Sequence, residues 1–341
     1  MRIDEACFDT FARHETFHPR WGWIKKSFDA SKESSGVFNA EDATLKLGVG
    51  KNMVRSIRFW GHAFRALTEE RDPDRPRLNV SVPSVIGDAV FGDGGWDPFT
   101  EDIGTLWLLH WLLLAPKSHM PVWWLAFCEF GAVEFTQQQL IEFTCDQVDS
   151  VSAWRSIPNQ SSIEKDVSCF LRTYAPSADS GRRRSFDDLV DCPMRELGLL
   201  RCVDPSSRRF RFVVGPKATL PAEIVLYACA DFLARTDSSA RTATVSRLAT
   251  EAGAPGRVFK LSESDLVALL ETAVQTTHLT KIARPAGAVQ LAFKKEPAEV
   301  ASDALRGFYQ RRKLGNGPHD GLVAGNAADE PATRHHESLA K

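Results

Sequence analysis

The clearest periodic pattern in the chain lies between residues 41 and 68. Residues 41–47 have the composition of a short helix, and residues 51–67 repeat apolar positions at the helical spacing of about 3.6 residues. Gly48 and Gly50 lie between these segments and permit a sharp bend, because glycine adopts backbone conformations that other residues avoid. The arrangement predicts a helix-turn-helix.

The two sides of the predicted 51–67 helix differ in chemistry. When successive residues are placed about 100° apart, the large apolar side chains fall on one side, namely Met53, Ile57, Trp60 and Phe64. The opposite side carries positive or neutral side chains, namely Lys51, Arg55, Arg58 and His62. An ordinary solvated face would also explain a charged stripe, but its single sign favours contact with DNA phosphates.

The start of the same helix carries residues suited to base edges. Recognition helices place their first residues in the major groove, where lysine binds guanine and asparagine binds adenine. Lys51 and Asn52 stand at these positions, and Lys46 on the preceding helix could contact a phosphate. Together with Arg55 and Arg58, they form the predicted DNA-binding set of this unit.

A second helix-turn-helix pattern lies near the C-terminus and is followed by two alternating segments. Residues 244–253 and 262–274 predict helices, and residues 279–283 and 288–293 predict a β-hairpin. Helix, turn, helix and hairpin form the order of a winged helix. The predicted DNA contacts of this unit lie near its turn and are Arg257 and Lys260. Winged helices also bind proteins, so the sequence allows either DNA or a protein as the partner of this unit.

Between these units the chain is strongly apolar. Residues 106–115 form the most apolar run, but they include His110 and are too short to cross about 30 Å of hydrocarbon. We therefore predict that this run forms a buried core helix. The whole chain is predicted to have a mainly α fold with small β-wings, in which a helical core joins two winged-helix or helix-turn-helix units. The composition of residues 175–185 is that of a linker. It predicts an N-terminal domain (1–175), a C-terminal domain (176–314) and a disordered tail (315–341).

The overall composition narrows the classes of partner. The 341 residues carry a net charge of −2, so DNA contact has to come from local basic clusters. The seven cysteines include no C-x-x-C pair, which argues against a zinc site and against a disulfide framework. The first residues lack an apolar signal segment. We therefore expect reduced thiols in a cytoplasmic protein.

One histidine pair matches a catalytic motif. Residues 14–18 read H-E-x-x-H, the zinc-binding pattern that metalloproteases place on a helix. Pro19 follows directly and disfavours helical geometry at the residue before it, which argues against a zinc hydrolase. His14 and His18 are kept as alternative general bases.

The densest acidic group lies in a glycine-rich loop before the apolar helix. Carboxylates bind Mg²⁺ or Mn²⁺, and nucleases use such ions to stabilise the attacking and leaving oxygens. The predicted metal ligands are Asp93, Asp97, Glu101 and Asp102, of which Asp97 and Glu101 are also the predicted catalytic carboxylates. Turn and helix-cap chemistry is the alternative explanation of the same residues. No phosphate-binding loop, dinucleotide fingerprint or nucleophile elbow is present.

Four long segments resemble a bacterial protein family that is encoded beside DNA phosphorothioation genes, and of which the SspB type is a named member. The segments are residues 11–30, 40–64, 92–114 and 254–266, and the resemblance extends from about residue 8 to 312. It implies antiviral defence and single-strand phosphorothioation, in which sulfur replaces a phosphate oxygen of DNA. The implied partners are a cysteine desulfurase, an ATPase and a sulfur-transferring ATP pyrophosphatase. The SspB type is regarded as a DNA nickase.

Two functions are compatible with the residues and with this resemblance. The first is a metal-dependent nicking endonuclease that opens one strand for sulfur insertion, which the resemblance favours. The second is a non-catalytic winged-helix adaptor that brings the modification proteins to DNA, which the lack of a catalytic motif favours. A transcriptional regulator is a third interpretation. The resemblance assigns no catalytic residue, and the oligomeric state is left open, with a homodimer as one option.

Overall fold

The computed structural model of the chain describes residues 1–73, 75–154, 157–175, 192–237 and 239–313, so the predicted tail at 315–341 lies outside them. Helices dominate these residues, which confirms the prediction of a mainly α fold. The α-helices are α1 (Ile3–Ala6), α2 (Trp23–Glu33), α3 (Ala43–Leu47), α4 (Lys51–Ala63), α5 (Val85–Phe91), α6 (Ile103–Leu114), α7 (Pro121–Trp124, continued by the π-helical turn Leu125–Glu129), α8 (Gln137–Asp149), α9 (Gln160–Tyr174), α10 (Ala222–Thr236), α11 (Val245–Thr250), α12 (Pro255–Phe259), α13 (Glu263–Thr277) and α14 (Pro297–Lys313).

The strands form small antiparallel sheets. They are β1 (Leu67–Arg71), β2 (Asn79–Pro83), β3 (Glu134–Thr136), β4 (Leu200–Asp204), β5 (Arg209–Phe212), β6 (Thr242–Thr244), β7 (Thr280–Ala283) and β8 (Gln290–Phe293). β1 pairs with β2, β5 lies between β3 and β4, and β8 lies between β6 and β7.

The β3–β5–β4 sheet corrects the predicted domain boundary. β3 precedes residue 176, whereas its hydrogen-bonded partner β5 follows it. A division at residue 176 would cut this sheet, so the predicted domains 1–175 and 176–314 are not separate packing units. The linker-like segment, residues 175–185, lies outside the described part of the chain except for residue 175.

The same order of elements occurs twice. Among the described residues, the elements β3, α8, α9, β4 and β5 occur in this order, and β6, α11, α13, β7 and β8 repeat it with the short α12 added between the helices. In both sheets the last strand lies in the middle. The first helix of each set begins after a threonine whose hydroxyl accepts a backbone N–H three residues on, at Thr136 and at Thr244. The strands at 280–293 match the sequence prediction, whereas β3, β4 and β5 were not predicted.

The apolar helix α6 lies in the core. All its residues from Leu106 to Leu114 are buried, which confirms the predicted core helix. His110 on this helix is buried, and its Nε2–H donates to the backbone carbonyl of Val258 at 3.0 Å. Its Nδ1 accepts from the hydroxyl of Tyr174 at 2.8 Å. A neutral imidazole therefore ties α6 to α9 and α12. No helix within the described ranges is long and apolar enough to span a bilayer.

We expect the protein to lose stability in mild acid. Burial lowers the pKa of His110 and His62 to about 4, and burial together with nearby arginines lowers that of His18 to about 3. Because these values lie below the ordinary histidine pKa of about 6.5, the unfolded chain binds protons first as the pH falls through this range. The stabilisation that these neutral histidines provide is therefore complete above about pH 6.5 and is lost progressively as the pH falls toward 4.

Urea unfolding at pH 7 and pH 5 measures this effect. At pH 5 His110 alone lowers the free energy of unfolding by up to about 2 kcal/mol. The matched control is His110→Gln, because glutamine can keep one donor and one acceptor but does not titrate. Its unfolding midpoint should depend less on pH than that of the native chain. Equal midpoints at both pH values in the native chain would contradict the prediction.

Candidate nucleic-acid interface

The turn between α3 and α4 has the predicted glycine geometry. Gly48 ends α3 with φ of 64°, a left-handed conformation that favours glycine, and its N–H donates to the last carbonyls of that helix. Gly50 then precedes Lys51, the first residue of α4, in extended conformation. The two predicted helices of this unit are therefore present, separated by three residues.

A second glycine allows α4 to approach α2 closely. Gly61 lies in the middle of α4, where glycine costs about 1 kcal/mol relative to alanine. A Cβ atom at this position would meet Oγ of Ser27 at 2.5 Å and Cδ1 of Leu67 at 2.8 Å. The lack of a side chain at Gly61 therefore permits the packing that fixes the orientation of α4.

The two sides of α4 separate as the sequence predicted. Ile57, Trp60 and Phe64 are completely buried, and Met53 packs against the same core. Trp60 is further fixed by its indole N–H, which donates to the carbonyl of Phe17 at 3.0 Å. The exposed side of the helix begins with Lys51, Asn52 and Arg55, followed by the half-buried Arg58 and His62. Packing of the apolar side therefore orients the basic face of α4 toward solvent.

Within the described residues, the ion-pair partners of these cations are all accessible to solvent, although Glu15 is half-buried. Arg55 Nη1 lies 3.5 Å from Glu15 Oε1, and Arg58 Nη2 lies 3.1 Å from Glu69 Oε1. Lys46 on α3 lies 3.1 Å from its neighbour Asp42 on the preceding turn. Exposed pairs of this kind contribute about 0–1 kcal/mol. These cations can therefore exchange a carboxylate for a phosphate at low cost.

The basic face of α4 forms one wall of a large cleft. The cleft has a volume of about 1520 Å³, and its lining includes residues from α4, the segment after α6, α10 and α14. Its cationic side chains are Arg13, Arg55, Arg58, Arg65, Lys117, Arg235 and Arg306, and its acidic ones are Glu15, Glu69 and Asp231. The excess of cations gives the cleft an electropositive lining although the whole chain is slightly acidic.

Two cations at the base of the cleft have structural partners. Arg65 donates to the carbonyls of Leu112, Pro116 and Lys117 at 2.9, 2.9 and 3.2 Å, so it satisfies the C-terminal end of α6 and the segment beyond it. Arg235 on α10 also donates to the carbonyl of Pro116, at 3.0 Å. These contacts tie the end of α4 and the helix α10 to the same segment after α6.

His62 lies in the same wall but carries no charge at neutral pH. Its Nε2 forms a 2.8 Å hydrogen bond with Oγ of Ser81, and burial lowers its pKa to about 4. It therefore supports the packing between α4 and β2 rather than adding to the positive charge of the cleft.

Lys260 does not have the predicted DNA-binding geometry. It is 8% exposed, and its ammonium donates to the carbonyl of Phe127 at 2.8 Å and lies 4.0 Å from the ring centroid of Phe212. Burial lowers its pKa to about 8. The prediction for Lys260 is corrected, because this ammonium joins α12 to the β3–β5–β4 unit. Arg257 is half-buried, and its Nε donates to the carbonyl of Thr250.

The H-E-x-x-H segment is not helical. Residues 13–16 form a turn in which Glu15 and Thr16 have φ of 50° and 65°. His14 is buried, and its Nε2 lies 2.6 Å from Oδ1 of Asp166. This geometry corrects the general-base prediction for His14, because the ring has a buried partner and does not reach solvent. His18 has its pKa lowered to about 3 by burial and neighbouring arginines, which makes it a poor base at neutral pH.

The acidic loop residues have structural roles of their own. Both oxygens of the buried Asp97 accept backbone N–H groups, from Glu101 at 2.9 Å and from Asp102 at 3.0 Å. Asp102 accepts the N–H of Gly104 at the start of α6 and pairs with Arg312. These hydrogen bonds agree with the alternative interpretation, in which the carboxylates stabilise a turn and cap a helix.

These carboxylates are not brought together as a metal site. The exposed Asp93 pairs with Lys32 at 2.7 Å, away from any second acidic ligand of the predicted set. Over the part of the chain that the structure describes, no group of three His, Cys, Asp or Glu side chains is placed to hold a metal ion. Asp93, Asp97, Glu101 and Asp102 therefore do not fit a metal held by protein ligands alone.

Comparisons with known proteins agree on one family. Residues 11–309 match the family described as "Protein of unknown function (DUF4007)". The fold is similar to "Magnesium ion-bound SspB crystal structure", with a TM-score of 0.85 and 37% sequence identity over 93% of this chain and 92% of that one. It is equally similar to "SspB crystal structure", with the same TM-score and identity over 94% and 93% of the two chains. Among curated protein sequences, none is similar enough to count as a match. The chain therefore belongs to the DUF4007 family and is a protein of the SspB type.

Proposed function

We propose that this protein binds DNA through the basic face of α4 and the cleft beside it. The observation that carries the proposal is the segregation of α4 into a fully packed apolar side and an exposed cationic side. Phosphate contacts supply most of the affinity of such proteins for DNA, and they need cations that are fixed in position but free of buried partners. Arg55 and Arg58 meet both conditions.

The order of elements supports winged-helix units as the scaffold. In each of the two repeated sets, a strand precedes the helices, two strands follow them, and the last strand lies in the middle of the sheet. We assign this order to winged helices, with the β4–β5 and β7–β8 hairpins as wings. The α3–α4 pair followed by the β1–β2 hairpin has the shorter helix-turn-helix order.

The system in which this DNA binding operates follows from the similarity to SspB. We assign the protein to the Ssp phosphorothioation machinery of bacterial defence, where sulfur replaces a phosphate oxygen of DNA. The partners expected there are a cysteine desulfurase, an ATPase and a sulfur-transferring ATP pyrophosphatase. The geometry best supports the role of a DNA-binding adaptor that brings these proteins to their substrate.

Metal-dependent nicking is the second candidate. It is favoured by the similarity to an SspB structure that contains magnesium. The described carboxylates do not form a three-ligand site, but Mg²⁺ in nucleic-acid enzymes often uses one or two carboxylates together with substrate phosphates. The proposal for Mg²⁺ or Mn²⁺ therefore concerns the DNA complex, and no catalytic step is assigned to Asp97 or Glu101.

A supercoiled-plasmid assay with a gel shift on the same DNA separates the two candidates. The purified protein is incubated with Mg²⁺, with Mn²⁺ and with EDTA. Binding without open-circle product in any condition supports the adaptor. Metal-dependent open circles that disappear in a point variant establish the nickase. Asp97→Asn is an informative variant only if it folds, since its side chain caps a turn. Absence of DNA binding in all conditions overturns the proposed function.

A further inference from the structure

The β3–β5–β4 sheet carries arginines on its outer side. Side chains of β5 alternate, so Phe212 is buried and Phe210 is half-buried, whereas Arg209 and Arg211 are exposed. On β4 the exposed Arg201 lies directly opposite Arg211. Arg208 is exposed in the turn that precedes β5, and its Nη1 donates to Oε1 of Gln137 at 2.9 Å. We call Arg201, Arg208, Arg209 and Arg211 the basic sheet face.

The charge on this face is only partly balanced. Glu134 on β3 is directly opposite Arg211, and its carboxylate lies 3.5 Å from Arg209 and 3.6 Å from Arg211. Arg201 forms no ion pair within the described residues. Asp204 at the end of β4 is directly opposite Arg209 in the strand pairing, but its carboxylate forms no ion pair with Arg209 within the described residues and instead accepts hydrogen bonds from Ser206 and Ser207.

Fold stability does not account for this arrangement. Directly opposite residues on an antiparallel pair are about 5 Å apart, and like charges there are destabilising. The pairing of Arg201 with Arg211 therefore costs stability, while Glu134 compensates for only part of it. The interior of the same sheet is apolar and packs without help from these arginines, through Phe135 and Phe212.

We infer that the basic sheet face is a second contact for the backbone phosphates of duplex DNA, separate from α4. Protein–protein interfaces have an apolar centre rich in aromatic residues, whereas protein–DNA interfaces are more polar and much more positive. The aromatic side chains of this sheet point inward, and its outer side presents arginines with the exposed Val203. The inference rests on the proposed DNA-binding function.

The test measures DNA affinity against salt concentration for the full chain with short duplex DNA. The sheet variant combines Arg201→Ala, Arg209→Ala and Arg211→Ala. Removing three phosphate contacts should weaken binding at least about tenfold and make the plot of log K against log salt shallower by up to about 2.7. The matched control replaces three exposed, ion-paired cations elsewhere, Arg2, Lys32 and Lys295, with alanine and should change affinity little.

Two further variants exclude a structural explanation. Replacing the same three arginines with lysine keeps the charge but loses the fork geometry, so affinity should stay within about threefold of the native value. Glu134→Gln removes the acid of this face and should tighten binding by about two- to fivefold. A lysine variant as weak as the alanine variant, or a Glu134→Gln variant that does not bind more tightly, would overturn the inference.

The α4 variant separates the inference from the proposed function. If Arg55→Ala with Arg58→Ala weakens binding while the sheet variant binds normally, the inference fails, the proposed function stands, and an acidic protein becomes the expected partner of the sheet. If both variants lose affinity and their effects add, the two surfaces are independent contacts. If the native chain does not bind DNA, the proposed function fails, and the inference fails with it.

Discussion

DNA binding should weaken by about 10- to 100-fold when Arg55 and Arg58 are both replaced with alanine. Each charge-assisted contact with a phosphate contributes about 1.5 kcal/mol. Part of this gain is offset, because each arginine gives up a solvent-accessible carboxylate partner when it binds DNA. The slope of log K against log salt should also become shallower by up to about 1.8. Fluorescence anisotropy with labelled duplex DNA over a salt series measures both quantities.

The fold should survive this double substitution. Both side chains lie opposite the packed side of α4, and their partners Glu15 and Glu69 keep access to water. The free energy of unfolding should therefore change by less than about 1 kcal/mol. A matched control replaces Arg2 and Lys295, which are exposed cations with similar ion pairs, and should bind as the native chain does. Native affinity in the α4 variant would remove α4 from the interface.

The second large effect is expected from Asp166→Ala, which should lower the free energy of unfolding by about 3–5 kcal/mol. Asp166 on α9 is buried, and its carboxylate accepts from His14 at 2.6 Å and from the N–H of Ala12 at 2.9 and 3.2 Å. Its removal leaves a buried histidine and a backbone donor without partners. It also weakens the attachment of the N-terminal segment to α9, which then depends on the hydrogen bond from Arg172 to the carbonyl of Thr16. Urea unfolding measures the loss.

The controls for Asp166 distinguish a buried ion pair from a hydrogen bond. Asp166→Asn keeps an acceptor for Ala12 and His14, so its loss should be smaller than that of Asp166→Ala. Glu271→Ala breaks an exposed pair with Arg284 and should cost less than about 1 kcal/mol. A loss of less than about 1 kcal/mol in Asp166→Ala as well would show that the His14–Asp166 contact does not hold the segment.

The pH dependence of this pair has a defined sign. Burial by itself would lower the pKa of His14, but the thiol of Cys169 and the hydrogen bond with Asp166 outweigh it and raise this pKa to about 10. Because the folded value exceeds the ordinary 6.5, the stabilisation from His14 is present below about pH 6.5 and is lost as the pH rises through the folded value. Asp166→Ala should reduce this alkaline component, because it removes one of the two side chains that raise the pKa of His14.

The sequence by itself determined the parts of this protein whose structure depends on local spacing. The apolar stripe through Ile57, Trp60 and Phe64 places the basic residues of α4 on the opposite side whatever the helix packs against, since the period of a helix relates the two sides. The Gly48 turn and the buried helix α6 were predictable for the same reason. Each follows from the conformational preferences or apolar content of a short segment.

Only the tertiary structure decided which distant residues meet. Lys260 resembles a surface cation in sequence, but the placement of α12 beside Phe127 and Phe212 buries it. Likewise, the letters of H-E-x-x-H do not show that His14 faces Asp166 on α9. The cleft beside α4 and the arginines of the β3–β5–β4 sheet also combine segments far apart in the chain. Such contacts depend on long-range packing and strand pairing, which the periodicity of a short segment does not encode.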